Sequence, residues 1–301
     1  MPQFTRILCP VDFSDTSVHA VEQAVSLAGW YQVPITALHV YNPLVAPLPG
    51  LPVPAARVAE AELQRVRDET SSCLEAANTT GVDVEVLVEV GQPAREILAC
   101  AERRPADLIV MGTHGVGGFE HLVLGSVAEK VLRKATCPVL TVPPRARATS
   151  RLPFKRILCA VDFSDWSLVA LDFARSVAEE SGASLTLLYV VEWPWKEPPA
   201  PVLSELPPQQ AAALGEYRRY IETSAMARLE LLVPDALRDR CTTCLRHGTP
   251  YTEILRLAAA ETADLIVLGV HGRNLIDMTL FGSTTSQLVR RATCPVLTLR
   301  R

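Results

Sequence analysis

The sequence predicts an α/β protein built as two tandem open parallel five-stranded sheets, each in the strand order 3-2-1-4-5 with helices on both faces. Three observations carry that expectation. Residues 4–17, FTRILCPVDFSDTS, return 150 positions later as FKRILCAVDFSDWS, while ADLIVMGTHG from Ala106 returns 157 positions later as ADLIVLGVHG, and ATCPVLT from Ala135 returns unchanged from Ala292. Within each copy, apolar runs of strand length alternate with stretches of helical period. An aspartate closes the first strand and a glycine loop follows the fourth, the two connections that flank the point where such a sheet reverses its winding.

Taken in order, residues 4–11 form a compact apolar strand, and Ser14 or Ser17 can cap a helix in which Val18, Val21, Val25 and Ala28 recur at helical spacing. Residues 35–41 make the second strand, and after a proline-rich stretch residues 58–77 read as a helix. Val82, Val84, Val86, Val88 and Val90 alternate strictly, as a half-buried strand does. Gly91 and Pro93 open the next helix, and residues 108–112 and 138–142 supply strands four and five around a helix over residues 126–134. The second copy repeats this plan with seven additional residues, assigned to the proline-rich stretch 193–208. The expected division is a first domain over 1–143, a linker over 144–153 and a second domain over 154–301.

A chain of 301 residues is long enough for two such cores. Its 49% hydrophobic and 21% charged content excludes disorder, and a net charge of −4 gives no electrostatic footprint for nucleic acid. No apolar run approaches the ~20 residues a membrane span needs, and no basic flank with a long apolar stretch opens the sequence, so the expectation is a soluble cytoplasmic protein. Cys9, Cys137, Cys159 and Cys294 lie inside apolar strand-like runs, where a thiol acts as a small hydrophobe and needs no cross-link.

After strand 4 the first copy places Gly112, Gly115, Gly125 and Ser126 at the spacing that Gly269, Gly272, Gly282 and Ser283 repeat in the second. Glycine permits positive φ and lets a backbone approach a phosphate, and a helix opening at Ser126 or Ser283 offers unpaired N–H groups and the positive end of its dipole. The pattern also fits a plain turn with a serine cap. No Gly-Lys-Ser/Thr follows, so this is not a Walker A loop; phosphate charge falls to backbone N–H groups and hydroxyls unless Lys130 or Arg273 folds in. The missing fixed cation favours binding over fast phosphoryl transfer.

The strand endings ILCPVDFSD and ILCAVDFSD, the Gly-x-x-Gly-x9-Gly-Ser loops and the closing CPVLTV and CPVLTL together resemble the universal stress protein family, in its tandem form, over nearly all of both halves. That resemblance implies a Rossmann-like nucleotide-binding fold, ATP as ligand with Mg as an optional companion, and a regulatory role in stress response. It places a first site at Pro10, Asp12, Val40, Met111, Gly112, Gly115, Gly125, Ser126 and Val127. The second site falls at Ala160, Asp162, Val190, Leu268, Gly269, Gly272, Gly282, Ser283 and Thr284, with Ala160 departing from Pro10. It also implies that residues 139–142 pair with residues 296–299 within the chain, with further homodimerisation permitted. No catalytic or metal-binding residue is assigned, slow ATP hydrolysis stays open, and the protein partner is not identified.

Other features carry competing readings. Asp12 and Asp162 could simply tie up turn amides, and His114 and His271 could orient their loops through backbone bonds. Cys241, Cys244 and His247 read C-x-x-C-x-x-H, but their alignment with Val84, Leu87 and Val90 puts them on a strand, where residues three apart face opposite ways. Trp193 and Trp195 are assigned to covering apolar surface, and Arg145, Arg147 and Arg151 to a solvated linker. Two other classes compete: an α/β enzyme that cleaves ATP, whose SGGxDS-like or HIGH-like signatures are absent here, and a structural pseudo-dimer that binds no nucleotide, disfavoured by two intact loops.

Overall fold

A computed structural model describes residues 4–42, 60–77, 79–114, 124–144, 152–192, 207–270 and 282–300. The first half runs β1 (Ile7–Val11), α1 (Asp15–Tyr31), β2 (Ile35–Tyr41), α2 (Glu60–Ala76), β3 (Val84–Val90), α3 (Pro93–Arg103), β4 (Leu108–Gly112), α4 (Ser126–Lys134) and β5 (Val139–Val142). The second runs β6 (Arg156–Ala160), α5 (Asp165–Ser181), β7 (Ser184–Val191), α6 (Pro208–Leu231), β8 (Cys241–His247), α7 (Pro250–Ala260), β9 (Leu265–Gly269), α8 (Ser283–Arg291) and β10 (Val296–Leu299), with one short 3-10 turn at Asp235–Leu237. Ser14, rather than Ser17, caps α1, its side chain accepting from the Ser17 amide; Ser164 repeats this for α5.

The strands form one sheet in the order β3-β2-β1-β4-β5-β10-β9-β6-β7-β8, so each half has the expected 3-2-1-4-5 order. All pairings inside a half are parallel. The two halves meet antiparallel through β5 and β10, with Thr141 opposite Val296, Leu140 opposite Leu297 and Val139 opposite Thr298. The threonines that interrupt these apolar strands have a reason: Thr141 Oγ1 donates to the Val296 carbonyl at 3.1 Å, and Thr298 Oγ1 to the Val139 carbonyl at 3.2 Å. Each hydroxyl is thereby satisfied in the fully buried seam. What reads in isolation as an edge strand is interior to a ten-stranded sheet.

The pleat sorts the core into two layers. Ile7, Cys9 and Val11 face the layer that α1, α2, α5 and α6 cover, while Leu8, Ile109 and Met111 face the layer covered by α3, α4, α7 and α8. The first layer continues across the seam. Phe4 packs edge-on against Tyr31 of α1, 4.9 Å between ring centroids, and against Phe173 of α5 at 5.6 Å, and the Tyr31 hydroxyl meets Glu180 of α5. At the α1 position matching Phe173 stands Gln23, fully buried, whose amide oxygen and nitrogen find no hydrogen-bond partner among the described residues. All eight cysteines are free; burial pushes the Cys9 and Cys159 thiols far up and those of Cys137 and Cys241 to about 11, where no thiolate forms at neutral pH. Among the described residues no helix is long and apolar enough to cross a membrane.

Candidate functional site

Strands β1 and β4 are held together at their amino ends and part at their carboxyl ends. Asp107, just before β4, accepts from the Thr5 hydroxyl at 2.8 Å and the Arg6 amide at 3.3 Å; Asp264 does the same work in the second half for the Lys155 and Arg156 amides, at 2.7 and 3.1 Å. Register pairing then covers Ile7 with Leu108 and Leu8 with Ile109, and stops, although β1 continues to Val11 and β4 to Gly112. In the second half it runs one residue further, to Cys159 with Val267. Each half therefore has a crevice beyond the carboxyl ends at its switch point, where open α/β sheets bind ligands.

Asp12 and Ser14 shape one wall. The Asp12 amide donates to Ser17 Oγ at 3.1 Å, and Asp12 Oδ1 accepts from the Ser14 amide at 3.1 Å and the Ser14 hydroxyl at 2.6 Å. Asp162 repeats this arrangement with Ser164, at 3.0 and 2.5 Å. The aspartates thus do tie up turn amides, each through its Oδ1, and in the first half no hydrogen bond among the described residues reaches Asp12 Oδ2. Between aspartate and serine the chain passes through Phe13 at φ 63° and Phe163 at φ 62°, a left-handed conformation that is strained for a side chain of this size.

The opposite wall is the start of α4. Gly125 is its N-cap at φ −58° and ψ 137°, no side chain caps it, and Ser126 is its first helical residue; Gly282 and Ser283 match at the start of α8. A serine cap is therefore not what these residues form, and the first-turn N–H groups lack a side-chain acceptor there. The expected positive φ is also not how the described glycines act: Gly112, Gly125, Gly269 and Gly282 all avoid it. Gly112 is instead required by packing, since a Cβ there would lie 2.8 Å from Thr16 Oγ1 and 3.0 Å from the Thr16 backbone; at Gly269 the Trp166 backbone would be met at 2.8 Å. Gly115, Gly272, His271 and Arg273 lie outside the described residues.

The walls are joined by a short network. The Gly125 amide donates to the Thr113 carbonyl at 2.9 Å, Thr113 Oγ1 lies 2.8 Å from His114 Nδ1, and the Thr16 hydroxyl donates to the His114 carbonyl. The second half fastens its loop from the other side, Thr285 Oγ1 donating to the carbonyls of Gly269 at 3.3 Å and Val270 at 3.2 Å. Val40, Met111 and Val127 face the layer covered by α3 and α4, and Ala160, Val190 and Leu268 the layer of α7 and α8. Pro10 shares the pleat parity of Leu8, so it faces the same layer, and Thr284 follows Ser283 in the first turn of α8. Lys130 is exposed on α4.

Residues that the sequence did not single out complete the turn. The His39 ring stacks on Phe13, with centroids 4.7 Å apart and planes 20° apart, and its Nδ1 lies 2.9 Å from the Val11 carbonyl. In the second half Tyr189 takes that place at 4.8 Å from Phe163, and the Arg228 guanidinium lies over the Phe163 ring at 3.8 Å. The signal available was positional: His39 and Tyr189 occupy the same place in the repeat but differ chemically. Cys241 and Cys244 of β8 pack into opposite layers, His247 pairs with Glu222 of α6 at 3.0 Å, and no metal-holding cluster occurs among the described residues.

An open parallel α/β sheet with a switch-point crevice in each half defines a tandem protein of the Rossmann-like class. Residues 3–143 and 153–300 each match the sequence profile of the Universal stress protein family, so the chain belongs to that family as a two-domain member. A universal stress protein of Mycolicibacterium smegmatis is 29% identical over 98% of this chain and 96% of its own. One from Methanocaldococcus jannaschii is 38% identical over 46% of this chain and 82% of its own. In structure, a universal stress protein of Archaeoglobus fulgidus superposes with a TM-score of 0.66, covering 98% of both chains at 24% identity, which speaks to the fold.

Proposed function

We propose that the chain is an ATP-binding regulator of stress tolerance in the cytoplasm, holding one adenine nucleotide in each of two domains, 1–143 and 154–301, joined by the linker 144–153. The observation that carries this reading is the opening at the switch point, repeated in both halves: the pairing of β1 with β4, and of β6 with β9, stops short of the carboxyl ends, with an aspartate turn after the first strand and an uncapped helix start after the fourth. The aspartate suits the hydroxyl and amino donors of a nucleoside, and the helix start suits phosphate. Pro10, Val40, Met111 and Val127, or Ala160, Val190 and Leu268, offer apolar surface for a base, with Ser126, Ser283 and Thr284 as hydroxyl donors. Mg would enter with the phosphates, held by ligand oxygens more than by this chain. Regulation is favoured over catalysis because no Walker lysine and no paired general acid and base occur in the loops.

Titration calorimetry with ATP tests the reading. The intact chain is expected to bind two equivalents, and Gly115→Val with Gly125→Val to bind one; an unchanged stoichiometry would remove that loop from the site. Single-turnover assays with labelled ATP and Mg should show slow or absent hydrolysis, and a rate near ~10 s⁻¹ would favour an enzyme instead.

A further inference from the structure

The two turns that carry Asp12 and Asp162 are built alike but charged differently. Both place a phenylalanine in the left-handed region, and both set a side chain from the second strand of the half against its ring, stacked at 20° in the first half and tilted at 43° in the second. In the second half that side chain is Tyr189, and a permanent cation, Arg228 from α6, covers the Phe163 ring. In the first half it is His39. Because a carbonyl can only accept, His39 Nδ1 carries the hydrogen that reaches Val11, leaving Nε2 as the atom that takes up a proton. The charged groups facing this imidazole are Asp12 on the turn and Glu69 from α2.

We propose that nucleotide binding by the first half is strengthened by protonation of His39, whereas the second half, with Tyr189 and the fixed charge of Arg228, binds independently of protons across the same range. The inference rests on the nucleotide reading above and adds regulation to it. Burial holds the imidazole below its ordinary range, against the smaller opposing pull of the Val11 carbonyl, Asp12 and Glu69, so it is neutral at pH 7. A bound polyanion adds negative potential at the turn and favours the imidazolium. By linkage, the imidazolium favours the polyanion equally, so affinity at the first site rises as pH falls through the mid-acid range. Protonation gives the first turn the positive charge beside its phenyl ring that the second turn always has.

The full-length chain carrying Gly272→Val and Gly282→Val isolates the first site, and titration with ATP from pH 8.0 to 5.5 reads it. Affinity is expected to rise about three- to tenfold toward the acid end, as one charge acting on a polyanion at partly screened range would give. His39→Tyr, which copies the second half, should flatten the profile. The chain carrying Gly115→Val and Gly125→Val shows the proton dependence of ATP itself at the second site, and Arg228→Gln should weaken that site at every pH. As a measurement free of any substitution, the His39 ring resonance should titrate at higher pH with ATP bound. A flat profile at the first site, or one that survives His39→Tyr, overturns the proton dependence and leaves nucleotide binding standing. Absence of ATP binding at every pH overturns both.

Discussion

Phe13 and Phe163 show how much a single residue in this fold gives up locally for a global position. A phenylalanine at φ near 60° is strained by about 1–3 kcal/mol, yet both halves keep it because the ring fills the space beneath the β1 turn. Phe13→Gly and Phe13→Ala remove the same ring, but only glycine also relieves the backbone. The glycine variant is therefore expected to be the more stable of the two by about 1 kcal/mol in urea unfolding, the reverse of the usual order. Gln23 makes the opposite case, a comfortable backbone with an unsatisfied side chain. Gln23→Leu removes two buried polar atoms without partners while keeping the volume, and should raise stability by about 1–2 kcal/mol on the same measurement. The left-handed Phe13 was not legible in the sequence, since propensity assigns that region to glycine or asparagine and the cause lies in tertiary packing of His39 and Tyr189.

At the scale of elements the sequence was far more informative. Periodicity and capping residues located β2 and α4 at their observed bounds, while the first strand begins at Ile7 rather than residue 4 and the third at Val84 rather than residue 82. Those differences fall at strand entries, where Thr5 and Arg6 bond to the Asp107 carboxylate and the Val82 amide closes a turn on Thr79 instead of joining the ladder, which local patterning does not report. The motif glycines were legible by spacing but not by reason. Gly112 and Gly269 let the first turns of α1 and α5 lie directly against β4 and β9, a contact between elements far apart in sequence. Gly112→Ala should therefore cost about 1–3 kcal/mol in unfolding and weaken nucleotide binding in the first half alone, by displacing the α1 start that carries Thr16. Calorimetry on the folded variant separates the two effects.

For the whole molecule, the seam between β5 and β10 is the decisive feature, and the repeated ATCPVLT already contained both of its strands and both of its threonines. What the sequence withheld was the asymmetry of the helices above it, where Phe4, Tyr31, Phe173 and Glu180 meet on one side and Gln23 stands on the other. Residues 1–143 expressed alone would expose β5, and residues 153–301 would expose β10. Sedimentation should find each fragment self-associating, and a mixture of the two forming a one-to-one complex; a well-behaved monomer of either would show that the seam is dispensable. Leu140→Pro, which removes the ladder donor that β5 gives to β4 in the buried middle of the sheet, should cost about 1–3 kcal/mol of stability in the intact chain.

Because that seam is antiparallel, the carboxyl ends of the strands in one half point away from those in the other, and the two crevices open toward opposite poles of the sheet. A large molecule seated over one crevice leaves the approach to the other clear. Two occupancies on one chain can thus be read simultaneously by two visitors that never compete for space, and a chain tethered by one pole to a surface still presents its other pole to solution.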